Sequence, residues 1–169
     1  MIKLKTILRE SVGGKLTYEN VMAMTPKDVV EYIGRWDGFN TNGDAIEEMD
    51  YLLNNEFPYG FKDVPPEVTL YRFLLIQDGE IVNDGDIGEH YIVDDTFVDA
   101  GFFRSIGIWD EWGDDSIVYK LICKTQRSNL NWDAILDARL NFPRENEYTV
   151  LLSKRVKVIE REICNKEDY

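Results

Sequence analysis

Two consecutive prolines, Pro65-Pro66, divide this chain into parts that obey different periodicities. Neither ring can donate a backbone hydrogen bond, and each pushes the preceding residue out of helical geometry, so no helix or central strand runs through them. Upstream, apolar residues recur at helical spacing. "MTPKDVVEYIGRW" opens with Thr25 as a cap, Pro26 at the first helical position and Asp28 near the positive helix end, followed by Val29, Val30 and Ile33. After the turn "NTNG", a second helix is predicted in "DAIEEMDYLLNN", where Ile46, Met49, Leu52 and Leu53 share a face. Downstream the residues are β-branched and aromatic. Strands are predicted at "VTLYRFLLI", "HYIV", "GFFRSIGIW", "SIVYKLICK", "EYTVLL" and "RVKVIERE". One helix is inserted among them at "NWDAILDARL", with Trp132, Ile135, Leu136 and Leu140 as its apolar stripe behind a cap at Asn131 or Asn129. Helices followed by strands describe an α+β domain.

The 169 residues, 44% of them hydrophobic, suffice for one domain with a true core. A formal net charge of −13 argues against a non-specific nucleic-acid coat and against an anionic membrane surface. Apolar runs fall well short of the ~20 residues that span a bilayer, so no membrane partner is expected. Cys123 and Cys164 lack metal-ligand spacing and sit in apolar strand-like runs, as small hydrophobes in a reducing compartment do. The single histidine, His90, rules out most zinc chemistry and reads as a structural residue at a strand end. The acidic stretches "NDGD" and "DEWGDD" do not fit a calcium loop and read as solvated turns. In the second of these regions, Trp109 and Trp112 either face a basic target or pack beneath the loop.

The candidate chemistry lies in "NFPRENEYTVLL". Side chains alternate along a strand, so Glu145 and Glu147 project to one face. Both acids are simply solvated if the strand has not yet entered the core. If they face a cleft, one carboxylate can stabilise a developing cation while the other orients or deprotonates a nucleophile.

"ENEYTVLLSKRVKV" resembles the Glu-x-Glu strand and following hairpin of the arginine–serine–glutamate class of mono-ADP-ribosyltransferases. "EVTLYRFL" is similar to that family's first core strand, "FVDAGFFRSIG" stands in the place of its Ser-Thr-Ser strand, and two helices precede Arg72 as in the family. The resemblance covers roughly residues 20–160 and implies the two-sheet ADP-ribosyltransferase fold. It also implies NAD as substrate, with Glu147 on the ribose 2′-hydroxyl, Glu145 orienting or deprotonating an arginine acceptor, Arg72 on the diphosphate and Ser105 as a further NAD contact. At the Ser-Thr-Ser position the chain reads Arg104-Ser105-Ile106, so only the middle hydroxyl is kept. The implied activity is transfer of ADP-ribose to an arginine of a host protein, with RNA polymerase or the translation machinery as the target the resemblance suggests.

The start of the chain, "MIKLKTILRES", resembles the capsid-targeting leaders of proteins packaged in tailed-phage heads, which are cut after a Leu-x-Glu site. This implies a leader over residues 1–14 cut after Glu10, a catalytic domain over 15–169, and residence in the virion interior or the host cytoplasm. No direct nucleic-acid partner is expected. The alternative from another class is a non-enzymatic acidic internal head protein that blocks a host nuclease by charge mimicry.

Overall fold

Thr25 opens a helix as its position in the sequence predicts. Its hydroxyl accepts from the Asp28 amide at 3.2 Å, and the Asp28 carboxylate accepts in turn from the Thr25 amide at 3.3 Å. In this computed structural model, which describes residues 16–77, 87–143, 147–151 and 155–169, that helix is α2 (Pro26–Ile33). A short α1 (Tyr18–Ala23), not foreseen from the sequence, precedes it, capped by Thr17. Helix α3 (Asn42–Asn54) is capped by Thr41 and buries Ala45, Met49, Leu52 and Leu53.

Beyond Pro66 the predicted change occurs. Strand β1 (Glu67–Gln77) pairs along its whole length with β3 (Ser116–Gln126), from Glu67 opposite Gln126 to Gln77 opposite Ser116. Short strands β2 (His90–Ile92) and β4 (Glu147–Thr149) extend the sheet on one side, and β5 (Lys157–Cys164) extends it on the other. The order is β4-β2-β1-β3-β5, with every neighbouring pair antiparallel. The α+β class therefore holds; the described strands form one five-stranded sheet.

One predicted strand is a helix. Residues 101–109 were expected to be extended because Phe102, Phe103 and Ile106 favour strands, but residues 100–105 form α4 (Ala100–Ser105). The Asp99 carboxylate caps it, accepting from the Phe102 amide at 2.8 Å, and Gly107, at φ +77°, turns the chain away beyond its end. The segment lacks the period-two alternation of a strand, and its aromatic pair is satisfied by packing: Phe103 sits edge-on to Phe73 and Trp112, each at 5.2 Å.

The sheet separates two cores. Val68 and Leu70 of β1 face the larger one, formed with α1–α3 and with α5 (Trp132–Asn141), whose side-chain cap is Asn131. The predicted stripe Trp132, Ile135, Leu136 and Leu140 is fully buried there. Phe73 turns to the opposite face and joins Phe103, Ile108, Trp112, Val118 and Cys164. Trp112 is thus packed beneath its loop. Cys123 and Cys164 are both buried and are not joined in a disulfide. The predicted leader, its Glu10 cleavage point and Glu145 lie outside the described residues.

Candidate functional site

Register decides what the short strands bring together. Residues directly opposite in an antiparallel pair share a face. Tyr71 stands opposite Ile92, and Ile92 stands opposite Glu147, so these three form one row across β1, β2 and β4. His90 and Thr149, paired with each other, lie on the same face one step along. Arg72 follows Tyr71 in β1 and so leaves the strand on the other face, where Tyr91 and Tyr148 also point.

Arg72 is nonetheless among the residues that line the same hollow. Its Nη1 donates to the backbone carbonyl of His90, and its guanidinium carbon lies 5.8 Å from the centre of the Tyr91 ring. Gly88, at φ +82°, passes so close that a Cβ there would meet Arg72 Nη2 at 2.7 Å. The absence of a side chain at residue 88 is what makes room for the guanidinium. Burial lowers the pKa of Arg72, while Tyr91, Cys123 and Glu147 act in the opposite direction. Nε has no partner among the described residues. A cation stripped of water in this way attracts an anion more strongly than an exposed lysine does.

Glu147 is the other pole. Its Oε1 lies 2.5 Å from His90 Nδ1 and 3.5 Å from the Thr149 hydroxyl. The carboxylate is partly exposed, at 31%, against 61% for the imidazole. Arg72, His90, Glu147 and Ser105 all line a cleft of about 590 Å³, whose apolar walls include Tyr71 and Phe102. That volume lies within the range of small-molecule sites. Phe97, 60% exposed, stands at its margin.

Of the residues singled out from the sequence, the structure brings Arg72, Ser105 and Glu147 to this one hollow. Ser105 arrives differently from expectation. It is the last residue of α4, not part of a strand, and its hydroxyl donates to the Phe102 carbonyl at 2.7 Å. The strand beside Glu147 is β2, so the neighbour of the glutamate is His90. Sequence reasoning set His90 aside as structural. Its signal was present, a lone histidine opening a short strand, but only the β2–β4 register reveals what it touches. Among the described residues no cluster of three or more potential metal ligands occurs, and no helix is long and apolar enough to cross a membrane.

Comparison with family models, curated proteins and solved structures finds no match to this chain.

Proposed function

We propose that this protein is an NAD-dependent mono-ADP-ribosyltransferase that modifies an arginine of a host protein. One observation carries the reading: a desolvated arginine and a carboxylate held by its neighbours line one cleft, two strands apart, with β2 between them. The dinucleotide substrate asks for that combination of charges. Arg72 offers a planar guanidinium to the diphosphate. Glu147 offers a carboxylate to the ribose 2′-hydroxyl, where it stabilises positive charge developing at the anomeric carbon, as carboxylates do in glycoside transfer. The bond from C1′ to the nicotinamide nitrogen breaks, and its electron pair leaves with nicotinamide. An acceptor guanidine nitrogen bonds to C1′ and gives up one proton, for which Glu145 is the proposed base.

The acidic character of the chain does not oppose the reading, since the anion is met locally by Arg72 while the rest of the surface repels nucleic acid. The test is incubation with labelled NAD and host lysate, comparing the wild type with Glu147→Gln. Labelling of a lysate protein by the wild type, reduced at least 100-fold in the variant, supports the assignment. Equal labelling by both removes Glu147 from the mechanism, and labelling by neither removes the transferase reading.

A further inference from the structure

Glu147 is a carboxylate on a three-residue strand, a short support for a group that must hold its direction to within tens of degrees. What fixes it is on the next strand. The His90 imidazole meets Oε1 through Nδ1, and the Thr149 hydroxyl approaches the same oxygen. Both contacts fall on Oε1, which leaves Oε2 as the oxygen to meet a substrate hydroxyl. His90 is itself tethered, because Arg72 from the far side of β2 donates to its backbone carbonyl. A chain of contacts thus runs from guanidinium to backbone to imidazole to carboxylate, joining the two charged groups of the cleft through one residue.

We propose that His90 is the positioning residue for Glu147. It donates Nδ1–H to Oε1, which sets the tautomer of the ring and the rotamer of the carboxylate together. The role rests on the transferase reading only for its consequence in catalysis; the contact stands independently. Thr149 cannot substitute, since its hydroxyl is a full 1 Å further from the oxygen. The imidazole is mostly exposed, so truncating it removes the brace and leaves the core intact.

Two measurements test this. His90 is the only histidine in the chain, so the imidazole nitrogens in a long-range ¹H–¹⁵N spectrum need no assignment. In the wild type Nδ1 is expected to show the signature of a protonated, hydrogen-bonded nitrogen, and in Glu147→Ala, which removes the acceptor, to shift toward the averaged pattern of an unconstrained ring. An unchanged spectrum would overturn the proposal, whatever the protein's activity. In turnover, His90→Ala is expected to lower kcat roughly 10- to 100-fold with KM for NAD changed less than about threefold. His90→Asn, whose amide nitrogen sits near the place of Nδ1, should recover most of the loss, and His90→Leu should not. If the wild type turns over NAD and His90→Ala matches it, the brace has no catalytic role and the proposal fails there. If the wild type does not turn over NAD, the transferase reading fails, and the spectrum alone decides the positioning.

Discussion

Arg72 of β1 and Glu147 of β4 point from opposite faces of the sheet and still line one cleft. β2, the strand between them, is three residues long. As built, Arg72 passes Gly88 to reach the carbonyl of His90, whose side chain holds Glu147.

Gly88 is the tightest point of that arrangement. Gly88→Ala places a Cβ 2.7 Å from Arg72 Nη2 in a backbone conformation, φ +82°, that side chains rarely adopt. The conformational part costs about 1–2 kcal/mol, and the steric part displaces the guanidinium. The expected outcome is a lower unfolding midpoint in urea and weaker NAD binding. In an Arg72→Ala background only the conformational part should remain, so a double-mutant cycle separates the two.

Tyr148 fills the larger core from β4, packed near Phe57 and Trp132, yet its buried hydroxyl has no partner among the described residues. Burial raises its pKa, with nearby Arg139 opposing. Removing an unsatisfied hydroxyl relieves a desolvation cost, so Tyr148→Phe should be neutral or stabilising by about 1 kcal/mol. Tyr148→Ala opens a cavity and should cost about 3–5 kcal/mol. Chemical denaturation of both variants checks the contrast; a Phe variant destabilised by more than about 1 kcal/mol would contradict it.

The base limb of stability follows from several tyrosines whose pKa burial raises, Tyr91 and Tyr32 among them. Burial pushes Tyr91 up to about 12; burial, and then a hydrogen bond to Asp133, push Tyr32 up to about 12. Unfolded, both phenols lose their protons near pH 10. Between about pH 10 and 12 the folded state therefore binds more protons, and stability falls as pH rises. It is fully present below pH 10. Urea midpoints measured from pH 9 to 12 should decline across that window, and Tyr91→Phe should decline less steeply than the wild type.

Local signals carried the sequence reading furthest where one residue does one local job. Thr25 and Asn131 cap, Pro65-Pro66 separate, and the helical stripe of Trp132 is buried, all readable within a few residues of chain. The failure at 101–109 is also local. Phe102-Phe103 carry strand propensity, but the Asp99 cap and tertiary aromatic contacts outweighed it. The site was legible as residue types and not as geometry. Glu147 and Arg72 could be picked by pattern, but that His90 meets Glu147 depends on a pairing 57 residues apart in sequence, which no local window contains.

Calorimetric titration of NAD into the intact protein tests the central claim most directly, because it asks whether the cleft takes the dinucleotide before asking what becomes of it. The account predicts saturable binding at one site, weakened at least tenfold by Arg72→Ala, a change that removes the charged partner of the diphosphate. Absence of heat at millimolar NAD, with salt-sensitive binding to a basic host nuclease in its place, would contradict the account and favour the charge-mimicry alternative.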